Sequence, residues 1–220
     1  KCVKIFDFSK WRTNMFKSKK EEYILAIGKN NFYVNYPDGE EETIFVKNIK
    51  LNPNVPFFHY LFDTYALIKE ININKKLFNK NIFYTLIQDD TSKADMKILS
   101  EYFKNIGVQE IAWVPQNIMM SNDEMEQYIS ISKTIRCFIV SYINVENDIR
   151  GCKKKVFLDK DVTIDTVEEV VNDIRIEFGK DINVYINNID NDMDEFKNIG
   201  TLISKNEILD NTRKFFSYGK

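Results

Sequence analysis

One succession of predicted strands and helices runs along this chain twice, and it narrows the choice of fold. The clearest copy lies in the first half, where residues 82–87 and 108–114 are apolar and rich in β-branched residues. Between them, residues 92–106 show helical periodicity and begin with a Ser92-x-x-Asp95 pattern. Serine followed three residues later by an acid is typical of a helix N-terminus. Short connections between strand, helix and strand indicate a parallel βαβ unit, and therefore an α/β protein.

The second half repeats this plan without repeating the residues. Matching helices are predicted to begin near Phe57 and Asp165, and matching strands near Ile82 and Ile182. The repeat predicts two similar lobes; the alternative is a single α/β sheet whose elements happen to follow this order. The predicted boundary places the first lobe at residues 1–120 and the second lobe at residues 121–220.

Hydrophobic periodicity and turn residues predict the remaining elements. The early strands are separated by short polar turns, which indicates antiparallel pairing. Further strands are predicted at residues 2–9, 22–28, 32–36, 43–49, 135–143, 155–158, 182–186 and 201–204, and further helices at residues 57–71, 122–133, 165–178, 192–199 and 206–218.

Composition narrows the classes of protein. The 220 residues are 44% hydrophobic and 29% charged, which suffices for a core without metals or disulfides. A net charge of −2 gives no general attraction to nucleic acid, so no nucleic-acid partner is expected. Cys2, Cys137 and Cys152 form neither a CxxC pair nor an even set for disulfides, which indicates a reducing cytoplasm. No apolar run reaches the roughly 18 residues of a membrane-spanning helix, and the first residues lack a signal-peptide pattern.

The first predicted strand ends in Asp7-Phe8-Ser9-Lys10. This segment resembles the Asp-x-Gly-[Ser/Thr] phosphate hairpin of the actin-like ATPase superfamily, which includes actin, Hsp70 and the sugar kinases. Ser9 stands where that hairpin has the glycine that lets backbone amides approach phosphate. Within this superfamily, the chain resembles the bacterial rod-shape, cell-division and pilus-assembly proteins. The resemblance implies two ribonuclease-H-like lobes, each a mixed sheet flanked by helices, without large inserted subdomains and with a nucleotide site between them.

Three further segments resemble motifs of this family, in the family's order. Residues 141–149 are similar to the second phosphate hairpin, Asp-x-Gly-Gly-Gly-Thr-Thr-Asp-Ile, with Ser141 in place of the first aspartate and Asn144 in place of a glycine. Residues 115–121 resemble the connecting segment without its acids, and Asn187 stands at the start of the adenosine loop. The resemblance therefore implies a degenerate nucleotide site, no catalytic residues and no cofactor. The residues of this site are Asp7, Ser9, Ser141, Asn144, Asp148 and Asn187.

A metal-dependent enzyme on a ribonuclease-H-like sheet is the alternative hypothesis. Asp7, Asp89 and Asp90 all lie at the ends of predicted strands, where such nucleases place metal-binding carboxylates. Asp7 with Asp89 or Asp90 would then hold the metal. The acidic residues between 190 and 195 are interpreted as charges at a helix N-terminus, and His59, the only histidine, as a structural or surface side chain.

The preferred hypothesis is a non-catalytic scaffold or adaptor that binds other proteins in a cytoplasmic assembly. By analogy with degenerate members of the family, this assembly is a pilus or secretion platform that is peripheral to the inner face of the membrane. Aromatic residues near the C-terminus would form a docking patch if they are exposed. These partner-binding candidates are Phe215, Phe216 and Tyr218.

Overall fold

Two mixed β-sheets with helices packed against them make up the described part of the chain. The computed structural model describes residues 20–47, 52–62, 67–68, 71, 73, 80–147 and 149–217. The strand predicted at residues 2–9 lies outside these ranges. Among the helices that are described, none is long and apolar enough to cross a membrane.

The first sheet belongs to the first half of the chain. Its elements are β1 Lys20–Ile27, β2 Asn31–Asn35, β3 Glu41–Lys47, β4 Leu67–Ile68, β5 Lys80–Ile87, α1 Lys93–Ile106 and β6 Glu110–Pro115. The strand order is β4-β3-β2-β1-β5-β6. β1 pairs antiparallel with β2 and parallel with β5, and β5 pairs parallel with β6. The predicted βαβ unit, formed by β5, α1 and β6, is therefore confirmed.

The second sheet belongs to the second half. Its elements are β7 Tyr128–Lys133, β8 Cys137–Glu146, β9 Ile149–Asp159, α2 Ile164–Phe178, β10 Asn183–Asn188, β11 Thr201–Ser204 and α3 Lys205–Ser217. The strand order is β11-β10-β7-β8-β9. β7 pairs antiparallel with β8 and parallel with β10.

Five strands of each sheet share one order and one set of directions. In the first sheet, β3, β2 and β1 are an antiparallel series that β5 and β6 extend in parallel. In the second sheet, β9, β8 and β7 are the antiparallel series, and β10 and β11 extend it in parallel. The repeat of the strands and the two-lobe α/β fold class are confirmed, and the single-sheet alternative is wrong. The predicted match between helices near Phe57 and Asp165 is wrong, because only the second of them forms in the described part of the chain.

The helix predicted at residues 57–71 does not form in the described part of that range. Phe57–Tyr60 make a short 3₁₀ helix, and Leu67–Ile68 form β4. Phe57 and Phe58 are both buried although they are neighbours, and the Phe57 ring packs against Phe32. A single amphipathic face cannot bury two adjacent side chains equally well. The helix predicted at residues 192–199 is likewise only a 3₁₀ helix at Asp194–Phe196.

The helix predicted at residues 122–133 is also wrong, because Tyr128–Lys133 form β7. Ile129 and Ile131 of this strand enter the core under α2, and Ser130 and Ser132 alternate with them and are buried too. Alternation with a period of two is the pattern of a strand. β7 is therefore the first strand of the second lobe, and the segment predicted at residues 135–143 becomes its second strand, β8.

The last helix contacts both lobes. α3 follows β11 of the second sheet and packs against β1 of the first sheet. Ile208 and Leu209 of α3 share a core with Ile24 of β1. Near the end of the helix, the Phe216 ring stacks on Tyr84 with centroids 3.9 Å apart. The lobes are thus joined by the chain between β6 and β7 and by α3, and the boundary between residues 120 and 121 stays a prediction.

Candidate functional site in the interlobe cleft

The β1–β2 and β7–β8 hairpins are equivalent in the repeat and have the same type of turn. In the first hairpin the Gly28 amide donates to the Asn31 carbonyl at 2.9 Å, and in the second the Thr134 amide donates to the Cys137 carbonyl at 2.9 Å. Each turn therefore has two residues at its tip. Both hairpins contact the opposite lobe, which makes the cleft between the lobes the candidate functional site.

The first hairpin binds the carboxylate of Asp190, which follows β10 in the second lobe. The Lys29 amide donates to Asp190 Oδ2 at 3.0 Å, and the Tyr33 hydroxyl donates to Asp190 Oδ1 at 3.0 Å. The Lys29 ammonium pairs with Asp192. The sequence predicted Asp190 and Asp192 as charges at a helix terminus; instead they are the anions that this hairpin binds.

Position 28 suits glycine because the ends of the Asp190 and Asn31 side chains lie so close. A Cβ atom on Gly28 would lie 2.6 Å from Asp190 Oδ1 and 2.7 Å from Asn31 Oδ1. Both distances are shorter than van der Waals contact allows. The φ angle of Gly28 is not positive, so the preference is one of space and not of backbone conformation.

The second hairpin binds the carboxylate of Asp90, which follows β5 in the first lobe. Thr134 Oγ1 donates to Asp90 Oδ2 at 2.9 Å, and Arg136 Nε donates to the same oxygen at 2.6 Å. Arg136 Nη2 donates to the Asp90 carbonyl at 3.0 Å. Because β5 and β10 are equivalent strands, each hairpin binds an aspartate that follows the corresponding strand of the other lobe.

Asp95 extends the contacts of the second hairpin to the start of α1. Arg136 Nη2 donates to Asp95 Oδ2 at 3.0 Å, and His59 Nε2 lies 2.7 Å from Asp95 Oδ1. The predicted capping pattern is confirmed, since the Ser92 amide donates to the Asp95 carboxylate at 2.8 Å. Burial raises the pKa of Asp95, but hydrogen bonds from Ser92, His59 and Arg136 outweigh burial and hold that pKa below its usual value.

At the first hairpin, burial outweighs the favourable contacts of the charged groups. Burial is the main influence on Lys29 and lowers its pKa to about 8; Asp190 opposes this change and Lys133 adds to it. Burial also raises the pKa of Asp190, although the contacts with Tyr33 and Lys29 lower it. Both charged groups are thus displaced toward their neutral forms. The attraction between these two charges does not compensate their loss of hydration.

Buried amide side chains link the two sheets between the hairpins. Gln116 Nε2 donates to the Ile27 carbonyl at 2.7 Å, and Asn187 Nδ2 donates to Gln116 Oε1 at 2.8 Å. Gln116 is 3% exposed and Asn187 is 5% exposed. This chain of hydrogen bonds runs from the end of β1 to the end of β10, so Gln116 and Asn187 occupy the centre of the cleft and bind each other.

Proteins of known structure share the two-lobe arrangement. No family model matches the sequence, and no curated protein matches it. The apo psk41 ParM protein aligns with a TM-score of 0.50 at 9% identity, over 90% of this chain and 97% of that chain. The chain has the actin-like fold. This confirms the resemblance at the level of the fold.

Two further actin-like structures align less closely. The ethanolamine utilization protein EutJ from Carboxydothermus hydrogenoformans has a TM-score of 0.49 and 8% identity, over 88% of each chain. MreB5 of Spiroplasma citri bound to ADP has a TM-score of 0.42 and 10% identity over 73% of this chain. The chain spans 58% of the length of that MreB5 structure and 60% of a MamK mutant bound to AMPPNP.

Only part of the predicted nucleotide site is found in the cleft of this actin-like fold. Asn187 lies there, and Ser141, inside β8, accepts a hydrogen bond from Asn117 Nδ2 at 3.2 Å. Asn144 lies farther along β8, opposite Gly151. The other predicted residues, Asp7, Ser9 and Asp148, lie outside the described residues. The role of this set as a degenerate nucleotide site stays a prediction.

Sequence reasoning missed the residues that the two hairpins use across the cleft. The family's phosphate hairpins follow the first strand of each lobe, and those strands were expected at residues 2–9 and 135–143. Among the described strands, β1 is the first of the first lobe and β7 is the first of the second lobe. A usable signal was present, since Gly28 and Thr134 each begin a four-residue turn between two apolar segments. The hairpin residues missed in this way are Gly28, Lys29, Thr134 and Arg136.

The alternative metal site finds no support among the described carboxylates. Asp89 accepts from the Asn117 amide at 2.9 Å and from the Ser132 hydroxyl at 2.7 Å, and burial raises its pKa. Asp90 is bound by Arg136. Across the ranges that the structure describes, no group of three or more His, Cys, Asp or Glu side chains could hold a metal ion. Asp7 lies outside those ranges.

Replacing Lys29 with methionine tests the electrostatic balance of the first hairpin. The pKa of Lys29 is about 8 in the folded protein, against 10.5 without burial. At a pH between these two values, Lys29 is protonated in the unfolded chain and loses that proton when the chain folds. Folding should therefore become more favourable as the pH rises through this range. The unfolding free energy of the wild type, minus that of Lys29→Met, should increase by about 1 to 2 kcal/mol between pH 8 and 10.

Urea titrations at several pH values measure this difference. Lys104→Met is the matched control, because Lys104 pairs with Glu101 at the surface and both side chains are more than half exposed. An exposed pair of this kind contributes little free energy, so the stability of Lys104→Met should stay within about 0.5 kcal/mol of the wild type. A difference for Lys29→Met that stays flat or falls as the pH rises would contradict the burial of Lys29.

Proposed function

We propose that this actin-like protein is a non-catalytic scaffold or adaptor that closes its cleft without a nucleotide and acts by binding other proteins. The proposal depends on one observation, the reciprocal binding of Asp190 and Asp90 by the two hairpins. In the family that the sequence resembles, such hairpins present their donors to phosphate. Here carboxylates of the same chain take up these donors.

A phosphate group would have to displace these carboxylates in order to bind. At the first hairpin it would need the Lys29 amide, which Asp190 occupies, and the Lys29 ammonium, which Asp192 occupies. Each charge-assisted hydrogen bond lost in this exchange is worth about 1.5 to 3 kcal/mol. The displaced carboxylates would also stay close to the incoming anion and repel it. Their presence supports closure that does not depend on a nucleotide.

The proposed partner-binding surface surrounds the end of α3. Phe215 and Phe216 are half-buried there, and Phe216 stacks on Tyr84. A groove of about 520 Å³ beside them is lined by aromatic side chains and by charged residues such as Lys20. Aromatic residues with a polar rim are typical of protein interfaces. Tyr218 lies outside the described residues. The partner's identity, the cytoplasmic location and the link to pilus or secretion assembly stay predictions.

Thermal unfolding with and without nucleotide tests the proposal. Millimolar Mg·ATP or Mg·ADP is expected to leave the melting temperature within about 1 °C of the ligand-free value. A nucleotide that bound only the folded state, at a hundred times its Kd, would add about 2.7 kcal/mol and raise the melting temperature by several degrees. Such a rise in the wild type would overturn the proposal.

A variant without the bound carboxylates is the informative comparison. Asp190→Ala combined with Asp192→Ala frees the Lys29 amide and ammonium in the first hairpin. If these carboxylates are what excludes phosphate, the double variant should be stabilised by Mg·ATP or by inorganic phosphate more than the wild type is. If neither ligand changes the melting temperature of either protein, other groups, such as Gln116 and Asn187, already close the cleft.

A further inference from the structure

Two contact sets hold the actin-like lobes together across the cleft, and they differ in chemistry. The Arg136 junction consists of Thr134 and Arg136 of the second hairpin with Asp90 and Asp95 of the first lobe. The Lys29 junction consists of Lys29 and Tyr33 of the first hairpin with Asp190 and Asp192 of the second lobe. The repeat makes the junctions equivalent in position, so the differences between them can be compared directly.

The Arg136 junction is the stronger of the two. One guanidinium makes three hydrogen bonds to Asp90 and Asp95, at 2.6 to 3.0 Å. The side chains of these two aspartates are only 6% and 2% exposed. The planar fork of arginine suits simultaneous contact with two acceptors and loses little freedom per bond. The carboxylates in turn raise the pKa of Arg136 despite its burial, so the ionised contact stabilises the closed cleft.

The Lys29 junction is the weaker of the two. Asp190 is held by one backbone amide and one phenol, both at 3.0 Å, and not by a charged side chain. The charged contact, Lys29 with Asp192, lies where the Asp192 side chain is 37% exposed. Nearby on the same side, the Lys205–Glu41 pair is 3.7 Å long, and both side chains are more than a quarter exposed. Ion pairs of this kind contribute little free energy.

We propose that the interlobe cleft opens at the Lys29 junction while the Arg136 junction stays joined, so that the second lobe turns about Arg136. At the junction itself, opening on this side breaks two neutral-donor hydrogen bonds and weakly held ion pairs, and it returns Lys29 and Asp190 to water. Opening on the other side would break the three hydrogen bonds of the Arg136 guanidinium, which are charge-assisted and stronger. The inference concerns motion of the free protein and does not depend on whether the protein binds partners.

Gly28 offers a way to hold the Lys29 junction open. An alanine methyl group at this position would lie 2.6 Å from Asp190 Oδ1 and 2.7 Å from Asn31 Oδ1, so these side-chain ends must shift and the contact of Asp190 with the hairpin is weakened. The Arg136 junction is untouched by this change. Gly151→Ala is the matched control, because a Cβ there would meet no atom within 4 Å, and the φ angle at Gly151 is not positive.

Hydrogen exchange measured by NMR reports each side of the cleft. The Lys29 amide donates to Asp190, and the Arg136 Nε–H group donates to Asp90 Oδ2 at 2.6 Å, so each of these groups bridges the two lobes. In the wild type the protection factor of the Lys29 amide should be about tenfold or more below that of the Arg136 Nε–H group. Gly28→Ala should remove the protection of Lys29 and leave that of Arg136, whereas Gly151→Ala should change neither.

Spin-label distances distinguish opening of the lobes from a purely local disturbance at position 28. One pair of labels, at positions 30 and 195, spans the Lys29 side. The other pair, at positions 54 and 160, spans the opposite side, where Lys160 Nζ donates to Asn54 Oδ1 at 2.9 Å. With native cysteines replaced by serine, Gly28→Ala should lengthen or broaden only the first distance. Equal lengthening of both distances, or no lengthening of the first, would overturn the proposal.

Discussion

Arg136→Met is expected to lower the free energy of unfolding by about 3 kcal/mol, because it leaves two buried carboxylates without their cation. Asp90 and Asp95 would keep only the neutral donor of Thr134 and the contacts of Ser92 and His59. Their side chains are too well buried to be hydrated in place. Urea denaturation at neutral pH measures the loss, and because the two lobes share α3 we expect a single unfolding transition.

Two further variants separate this effect from a general loss of charge. Lys104→Met removes a cation from an exposed pair and should change the unfolding free energy by less than about 0.5 kcal/mol. Arg136→Lys keeps the charge, but a single ammonium cannot reproduce the fork that reaches Asp90 and Asp95 together. It should therefore recover less than half of the loss. Full recovery by lysine would show that charge alone, without the geometry of the junction, stabilises the closed cleft.

The pH dependence of the Arg136→Met effect has a definite sign. The pKa of Asp95 in the folded protein lies below its usual value of 3.8. The stability that this carboxylate contributes is present above about pH 4 and is lost as the pH falls through the lower, folded value. The difference between the wild type and Arg136→Met should therefore shrink in acid. A difference that grows as the pH falls would contradict the role given to Asp95.

The parts of the fold that sequence could predict are those that neighbouring residues determine. The α1 helix is signalled by its Ser92 cap, its periodic apolar residues and Gly107 at its end, where φ is 106°. β5 and β6 are apolar segments on either side of this helix. Two strands that are joined by a helix usually pair in parallel in one sheet. This βαβ unit therefore followed from local patterns.

The parts that sequence could not predict depend on contacts between distant segments. Ser130 and Ser132 are polar, yet they are buried because the first lobe covers that face of β7. The sequence therefore lacks the alternation of apolar and exposed polar residues that would have indicated a strand. Asp190 and Lys29 are 161 residues apart. The sequence around either residue gives no sign that the Asp190 carboxylate lies against Gly28, where a larger side chain would crowd it. The candidate site could therefore be placed in the cleft, but its contacts could not be assigned.

Gln116→Leu is expected to cost about 3 kcal/mol, because it leaves two buried polar groups without partners. The Ile27 carbonyl loses the amide that binds it at 2.7 Å, and Asn187 Nδ2 loses its acceptor at 2.8 Å. Leucine fills a similar volume, so the loss measures unsatisfied hydrogen-bonding groups more than an empty cavity. The double variant with Asn187→Leu should cost less than the sum of the two single variants, with a coupling energy of about 1 to 2 kcal/mol.

Gln127→Leu is the matched control for this cycle. Gln127 is exposed and accepts from the Tyr142 hydroxyl at 2.7 Å, so its replacement removes a hydrogen bond whose donor can turn to water. Its cost should stay below about 1 kcal/mol. Additive costs for Gln116→Leu and Asn187→Leu would contradict a direct bond between these amides. Since the hydrogen bonds of Gln116 run from the end of β1 to Asn187 of β10, a measured coupling would also mean that closing the cleft depends on these buried side chains.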